Sequence, residues 1–477
     1  MAEGENAARL DEVAGSDSSL GPPGGSSRSW WAALTITAMA GLSLLLVWQH
    51  IGRPVRFRVL FDMAAAGITL TIVWRAVLGG RPVTGTHAVV SGSFALAALL
   101  AADTGQPFAA AACLVASGWV LIRPSNSTTE PGALIRVQSL VDDTHDDPLA
   151  PFAMAAGKSY VFSGDSTAAL AYRALGGLAV VSGDPIGDVT KYPQVISRFC
   201  ALCRTRGWHI VVLGASRRQL SAWRDAPDIG HRLTAVPVGR DVVIDTDTFS
   251  LSGRTNRNLR QAVNRTHNAG VTTVVVAERE LDSRLRTELI EIMRESGRTL
   301  SAERGFSMML GDALSGHYGD VWLIIARDRH GQAQGFHRYV GTGGGSDLSL
   351  EIPWRRTGAP NGIDERLTVD MVAWAKARGV QRVSLAFAPF PGLFAKDGQH
   401  RIVLRVARVV AHAGDRFIKL ESLYRYVRKF HALRERRYVL VPLAHLPTAL
   451  VVLLRLEFGR HRSPVSDEQT WQGTDDP

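Results

Sequence analysis

Residues 252–270, SGRTNRNLRQAVNRTHNAG, contain four arginines and no acidic residue. Placed on a helix at about 100° per residue, the segment separates into two faces. One is polar and basic (Arg254, Arg257, Gln261, Asn264, Arg265, Asn268), and the other is suited to docking (Leu259, Ala262, Val263, Thr266). Exposed helices usually carry acidic residues for i,i+4 pairs, and this one has none. Guanidinium groups pair bidentately with phosphate oxygens, so the pattern predicts a face that binds the phosphates of RNA or lipid. A solvated charged face is the alternative.

The composition of the whole chain agrees with an anionic partner. Its 477 residues include 54 Lys+Arg against 44 Asp+Glu, a net charge of +10, which favours nucleic acid or lipid head groups. A hydrophobic content of 46% predicts a folded protein. Only three cysteines occur (Cys113, Cys200, Cys203), which excludes a disulfide scaffold. The C-x-x-C pair lacks a second pair or a histidine cluster, so we expect a buried helix face there and neither a metal site nor a cofactor.

The N-terminal region is predicted to enter a membrane. Residues 1–28 are acidic and rich in Gly, Ser and Pro, which predicts a disordered tail. A second disordered tail is predicted at the other end of the sequence, at residues 463–477. Four apolar stretches follow within residues 29–123 (30–48, 59–74, 87–102, 107–122). The first is long enough to cross roughly 30 Å of hydrocarbon, and the others are slightly short. Their close succession predicts a bundle of about four transmembrane helices with both termini cytoplasmic; a buried soluble bundle is the alternative.

Short apolar strands alternate with amphipathic helices after residue 133, which predicts an α/β (α+β) fold. Strands are expected at 158–163, 178–188 and 209–214, and a hairpin at 321–341. A helix over 363–378 ends at Gly379, and the segment after it alternates as a strand does. The repeated alternation predicts two related domains in series, residues 134–252 and 271–460, joined by the basic helix at 253–270.

Two further segments leave alternatives open. The sequence RRTGAP (355–360) is the nearest match to a coenzyme A loop, and its Pro360 argues against an acyl-CoA enzyme without excluding one. The run at 446–462 is apolar for too few residues to span a bilayer and ends in basic residues. It is expected either to lie at a membrane interface or to pack against the second domain.

Residues 134–457 resemble the C-terminal synthase domain of the bacterial phosphatidylglycerol lysyltransferase (multiple peptide resistance factor) family. The matching segments are GDPIGD (183–188), RNLRQAVNRTHNAGV (257–271), SLEIPWRRTGAPNGIDERL (349–367), WAKARGVQRVSLAFAP (374–389) and LESLYRYVRKFHALRERRYV (420–439). The resemblance implies tandem acetyltransferase-like (GNAT-like) domains and transfer of an amino acid, lysine above all, from aminoacyl-tRNA to phosphatidylglycerol. It implies a multi-pass protein of the bacterial cell membrane with a cytoplasmic soluble domain, partnered by tRNA and membrane lipid.

The resemblance also carries site residues to this chain. By position, Glu351 corresponds to a family aspartate, Arg355 to a family arginine and Lys429 to the lysine of a Lys-Phe pair. An aminoacyl ester is already activated, so a catalyst need only position the acceptor hydroxyl, help remove its proton and stabilise the oxyanion. We therefore expect Glu351 to hold the ammonium group of the donor and Lys429 to lie near its carbonyl oxygen or the tRNA terminus. A surface carboxylate and an exposed helix lysine are the alternatives.

The remaining expected contacts bind substrate. They comprise four residues of the basic helix for phosphates, two in the matched segment 349–367 and the Arg-Tyr pair near the C-terminus (Arg257, Arg260, Asn264, Arg265, Asn361, Asp364, Arg437, Tyr438). The chain departs from the family pattern at Glu351 and Trp354, where Asp and Arg are expected, and at Ala432 and Arg434, where Pro and Trp are usual. These departures leave open the amino acid, the acceptor and catalysis itself. An acyl-CoA-dependent N-acyltransferase and a catalytically silent binding protein are the other hypotheses.

Overall fold

The computed structural model describes residues 85–121, 131–226, 232–296, 313–389 and 426–458, with a few short stretches and single positions between them. Both predicted tails and the first two apolar stretches lie outside these residues. The chain divides into two compact units, one made of residues 1–125 with 205–207 and the other of the remaining residues.

The described part of the first unit is a helical hairpin. Helices α1 (Gly85–Asp103) and α2 (Pro107–Leu121) coincide with the third and fourth apolar stretches and pack against each other. The hydroxyls of Ser91 and Ser117 are hydrogen-bonded at 2.8 Å in their interface. Of the helices that the structure describes, none is both long enough and apolar enough to cross a membrane. The predicted bundle of four transmembrane helices is therefore not confirmed.

The second unit is a mixed α/β structure. Its helices are α3 (Leu134–Asp142), α4 (Tyr192–Arg206), α5 (Leu220–Asp225), α6 (Arg257–Asn268), α7 (Ser283–Glu295), α8 (Ile363–Ala377) and α9 (Leu446–Phe458). Its strands are β1 (Ser159–Phe162), β2 (Ala168–Leu175), β3 (Leu178–Ser182), β4 (Ile186–Gly187), β5 (His209–Ser216), β6 (Thr234–Asp245), β7 (Thr272–Ala277), β8 (Val321–Arg327), β9 (Ala333–Thr342), β10 (Asp347–Arg355), β11 (Arg382–Pro389) and β12 (Leu433–Val441).

These strands form one continuous sheet. Their order is β1-β2-β3-β5-β12-β6-β11-β10-β9-β8-β7, with β4 paired to β2. Strands β3 and β5 pair in parallel, as do β10 and β11, so each half of the sheet repeats the same arrangement. The predicted hairpin is confirmed by the antiparallel pairing of β8 with β9. Because β12 lies between β5 and β6, a strand from near the C-terminus joins the two halves. The domain boundary at 253–270 stays a prediction.

Helices cover the sheet through the faces that the sequence pattern indicates. Helix α4 buries Phe199, Cys200 and Cys203, which confirms the buried-helix interpretation of the C-x-x-C pair. Helix α8 buries Leu367 and Met371 against the second half of the sheet. Burial of these apolar side chains fixes the face that each helix presents to the sheet.

Candidate functional site

The centre of the candidate site is the point where β10 and β11 stop pairing. Their parallel register covers Asp347–Ser349 against Arg382–Ser384. Beyond it β10 has a bulge between Leu350 and Ile352 in its register with β9, and β11 is irregular against β6. Glu351 lies at this bulge. Bulges re-aim side chains and are common next to functional sites, so the position of Glu351 is consistent with a role in chemistry.

Glu351 belongs to a fully buried ionic group, here called the Arg338 cluster, which consists of Arg338, Glu278 and Glu351. The guanidinium of Arg338 donates to Glu351 Oε2, and its Nε lies 2.5 Å from Glu278 Oε2. All three side chains are 0% exposed. Burial by itself lowers the pKa of Arg338, but the two carboxylates outweigh it and raise that pKa above its ordinary value. Two carboxylates face one guanidinium, so the cluster carries one excess negative charge when both are ionised.

A second polar group surrounds the first turn of α8 and is called the α8 cluster (His337, Arg355, Asp364, Glu365, Lys429). Asp364 Oδ1 lies 3.3 Å from His337 Nε2, and Asp364 Oδ2 lies 3.4 Å from Arg355 Nη1. Lys429 Nζ donates to Glu365 Oε1. The side chain of Lys429 is 40% exposed, whereas that of Glu365 is 9% exposed. Three predicted site residues, Arg355, Asp364 and Lys429, are therefore brought together.

Buried hydroxyl groups form hydrogen bonds with α8 next to the α8 cluster. The Tyr426 hydroxyl is hydrogen-bonded to the Thr368 hydroxyl and lies 3.3 Å from the backbone carbonyl oxygen of Asp364. Burial raises the pKa of Tyr426 and of Tyr339, so both phenols stay protonated and can donate. This network anchors the segment beginning at Tyr426 to α8 and so places Lys429 beside Glu365.

The two clusters lie on opposite faces of the sheet. Consecutive strand residues point to opposite faces. On β9, His337 and Tyr339 point toward α8, so Arg338 between them points away, together with its partner Glu351. Glu351 and Lys429 therefore lie on different faces of the sheet, and their expected roles in donor binding stay predictions.

Glu351, Trp354 and Asn361 differ in their exposure to solvent. Glu351 is only 6% exposed, so the alternative of a surface carboxylate is excluded. Trp354, at one of the departures from the family pattern, is buried and stacks on Phe336 with ring centroids 4.9 Å apart. Asn361 is exposed in the turn before α8. Trp354 therefore contributes to the core, and Asn361 is open to a ligand.

Helix α6 docks on α8 as its sequence predicts. Leu259, Ala262 and Thr266 are buried, which confirms the docking face. Gly362, immediately before α8, has φ +101°, and a Cβ there would lie 2.8 Å from the carbonyl oxygen of Ala262. Glycine at 362 therefore permits the backbones of the two helices to touch, because only glycine combines this φ with the absence of a side chain.

The opposite face of α6 is exposed and basic. Arg254, Arg257, Asn264 and Arg265 are all exposed. Among the described residues, no acidic side chain forms an ion pair with these arginines. Arg260 differs, because its guanidinium donates to the backbone carbonyl oxygens of Leu251 and Gly253 and closes the loop that precedes the helix. A phosphate-binding role for Arg260 stays a prediction, alongside this structural one.

Arg437 occupies the centre of a third, buried group. Its Nη2 lies 2.6 Å from Asp147 Oδ1, its Nη1 3.3 Å from Asp184 Oδ2, and its Nε 2.8 Å from Asp241 Oδ2. Burial raises the pKa of Asp184 and of Asp241 to about 6 in spite of the opposing effect of Arg437. Tyr438 packs partly buried against the core of the first half. Arg437 therefore connects distant segments of the chain through ion pairs. Substrate binding by Arg437 and Tyr438 stays a prediction.

Sequence reasoning missed four residues of the Arg338 and α8 clusters (Glu278, His337, Arg338, Glu365) and the three aspartates around Arg437 (Asp147, Asp184, Asp241). The signal was present in β9, where polar residues follow Phe336 within an otherwise apolar strand. Buried polar groups need partners, so such residues indicate a polar network. In the part of the chain that the structure describes, no three His, Cys, Asp or Glu side chains are grouped so as to hold a metal ion.

Comparison with known proteins identifies relatives. Residues 138–441 match the family described as phosphatidylglycerol lysyltransferase, C-terminal. The MprF-like domain protein Rv1619 of Mycobacterium tuberculosis is 52% identical over 389 residues, which is 82% of this chain and 80% of that protein. The lysylphosphatidylglycerol biosynthesis bifunctional protein LysX of Mycobacterium avium is 34% identical over 287 residues, 60% of this chain and only 24% of that protein. The fold resembles that of L-PGS from Bacillus licheniformis with a TM-score of 0.59 and 22% identity, over 70% of this chain and 97% of that one.

Proposed function

The chain belongs to the phosphatidylglycerol lysyltransferase C-terminal family, and from this premise we propose that it transfers an amino acid, lysine first among candidates, from aminoacyl-tRNA to phosphatidylglycerol. The LysX relative is named for lysylphosphatidylglycerol biosynthesis, which supports phosphatidylglycerol as acceptor. The second unit supplies a mixed α/β sheet that, under the proposal, consists of two acetyltransferase-like domains in tandem.

One observation carries the proposal: the basic helix α6 rests directly on the helix that bears the α8 cluster. The contact of Ala262 with Gly362 joins the exposed basic face of α6 to the first turn of α8, which holds Asp364 and Glu365. A tRNA acceptor stem bound through its phosphates on α6 would be held in fixed relation to these groups, since phosphate contacts position a nucleic acid without reading its sequence. An acyl-CoA donor would not require this face.

The two clusters suit the two requirements of aminoacyl transfer. Glu351, the carboxylate of the Arg338 cluster at the β10 bulge, is the residue proposed to meet the ammonium group of the donor. Lys429 and Arg355 supply positive charge on the other face, where the ester carbonyl develops an oxyanion.

Membrane attachment through the first unit is part of the proposal. In the hairpin of α1 and α2 the buried residues include Ser91, Ala98 and Ser117 beside Leu114 and Leu121, while Val89 is 71% and Leu100 60% exposed. Membrane helices pack through small residues and hydrogen bonds and present large apolar side chains to lipid. This arrangement supports a place in the bacterial cell membrane, with the second unit in the cytoplasm beside its tRNA donor.

The proposal is tested by lipid analysis of bacteria that express the intact chain with labelled amino acids. A labelled, ninhydrin-positive phospholipid is expected with the unaltered chain and is expected to disappear with Glu351→Ala. Glu280→Gln is the matched control, because Glu280 is an exposed carboxylate near Glu278. Absence of such a lipid from cells with well-expressed protein, or labelling from fatty acid instead of amino acid, would contradict aminoacyl transfer.

A further inference from the structure

Helix α9 is apolar on both of its faces. Its inner face buries Ala449, Val452 and Leu456 against β3, β5 and β12. The positions on the other side of the helix are also apolar, at the i, i+3, i+4, i+7 spacing of one face (Pro447, Leu450, Val451, Leu454). Val451 is 63% exposed, and Leu443, just before the helix, is 53% exposed. This apolar stripe is therefore exposed at Pro447 and Val451 and half-buried at Leu450 and Leu454, and it lies outside the apolar core to which the inner face of the helix belongs.

The charges beside this stripe are basic. Arg455 is exposed at the end of the stripe. The sequence continues with Arg460, His461 and Arg462, and residues 443–462 contain a single acidic residue, Glu457. An exposed apolar helix face with a basic residue at its end, in a segment with few acidic residues, is complementary to an anionic lipid surface: the apolar side chains enter below the head groups and the cations meet phosphates.

We propose that the outward face of α9 (Leu443, Pro447, Leu450, Val451, Leu454) rests on the surface of a bilayer that contains anionic lipid. The inner face holds the helix rigidly on the sheet, so docking would fix the orientation of the second unit toward the membrane. Strand β12 connects the segment that carries Lys429 directly to α9, which links the membrane contact to the site. The inference deepens the proposed function, since an enzyme that acts on a membrane lipid must approach its surface.

The test uses the full chain with a polarity-sensitive fluorophore on a cysteine introduced by Val451→Cys. Cys200 and Cys203 are buried, and Cys113 is replaced by serine throughout. The matched control is His330→Cys, in the exposed turn between β8 and β9. The protein is reconstituted in vesicles of phosphatidylglycerol or phosphatidylcholine, with or without brominated acyl chains.

We expect brominated phosphatidylglycerol to quench the label at 451 at least about twofold more than the label at 330, because an interfacial helix buries its apolar face roughly 5–10 Å into the lipid. Quenching at 451 is expected to be weaker in phosphatidylcholine. Equal quenching at the two positions would overturn the proposal. Contact between labels of two chains at 451, without quenching by lipid, would also overturn it and assign the face to a second copy of the chain.

A charged variant separates this inference from the proposed function. Val451→Asp with Leu454→Asp changes only outward-facing positions. A fluorophore attached at Leu443→Cys is expected to shift its emission to the blue when vesicles are added to the otherwise unaltered chain, and this shift is expected to be lost in the double variant. Product formation with phosphatidylglycerol vesicles is followed in parallel. Lipid quenching without any product would uphold the membrane contact and contradict the transferase function. Product formation without lipid quenching would uphold the transferase function and contradict the membrane contact.

Discussion

Arg338 donates to the carboxylate of Glu351 where neither side chain is reached by solvent. The pair lies at the bulge of β10, on the face of the sheet opposite to Lys429. Glu278 is the second carboxylate that pairs with Arg338. The ion pair compensates for a glutamate at an interior position, where an unpaired charge would be costly.

Replacing Glu351 by glutamine removes one of the two carboxylates that pair with Arg338. Loss of one partner from a buried ion pair typically costs about 3–5 kcal/mol of stability, and Glu278 remains to pair Arg338, so we expect the lower end. Aminoacyl-lipid formation should fall at least about 100-fold. Glu351→Asp keeps the charge and the residue type of the family, and should retain measurable activity. Wild-type activity in Glu351→Gln, measured with purified full-length chain, would remove Glu351 from the site.

Neutralising two arginines of α6 is expected to weaken tRNA binding. Arg257→Gln with Arg265→Gln should reduce the slope of log affinity against log salt by about 1–2, because each phosphate contact releases roughly one counterion. Filter binding with charged tRNA at several salt concentrations measures this slope. The control is Arg284→Gln, an exposed arginine on α7. An unchanged slope in the double variant would show that this face does not contact tRNA.

Gly362 offers a test of the contact between α6 and α8. In Gly362→Ala the new Cβ would approach the Ala262 carbonyl oxygen to 2.8 Å, so α6 must shift. Gly358→Ala is the control, since Gly358 also has a positive φ (+88°) but has nothing within 4 Å of its Cβ position. Each substitution carries a backbone cost of about 1 kcal/mol. Only Gly362→Ala should also weaken tRNA binding; equal effects would show that the helix contact is irrelevant.

Lys429→Met is expected to lower turnover more than donor binding. Methionine keeps the length of the side chain but removes the charge proposed to meet the oxyanion, and one such interaction is worth about 10²–10³ in kcat. Lys376→Met, which removes a lysine whose Nζ lies 3.7 Å from Asp247 on the surface, controls for general loss of charge. Single-turnover rates at saturating donor provide the measurement. A changed Kd with an unchanged rate would assign Lys429 to tRNA binding alone.

The group around Arg437 predicts a pH dependence of stability. The pKa of Asp241 is about 6 in the folded chain and about 3.9 when unfolded, so the folded state binds more protons between these values. Stability contributed by this group is therefore greatest at low pH and declines as pH rises from about 4 to 6. Asp241→Asn should flatten that decline by up to about 3 kcal/mol, measured by urea unfolding, whereas exposed Asp225→Asn should not. Parallel curves for wild type and Asp241→Asn would contradict this.

Local patterns predicted much of the fold. The docking face of α6, the hairpin of β8 and β9 and the buried C-x-x-C helix follow from periodicity, because one face of each element must leave water. The insertion of β12 between β5 and β6 does not follow from any local pattern. Strand order depends on contacts between residues about 200 positions apart, such as Arg437 with Gly239.

The arrangement of the candidate site likewise depends partly on contacts between distant strands, which local patterns do not predict. Arg355, Asp364 and Lys429 were assigned individually and converge on α8. The placement of Glu351 on the opposite face depends on the parity of β9 and the bulge in β10, since a shift of one residue reverses a side chain. Sequence spacing alone does not determine that parity.

The central claim is tested most directly with purified chain in phosphatidylglycerol vesicles and tRNA charged with labelled lysine, or with a mixture of labelled amino acids. Label is predicted to pass into the lipid phase, to require the ester bond to tRNA and to be abolished by ribonuclease added beforehand. If no charged tRNA delivers label to lipid while Glu280→Gln and unaltered chains are equally folded and vesicle-bound, the aminoacyl-tRNA-dependent assignment is contradicted.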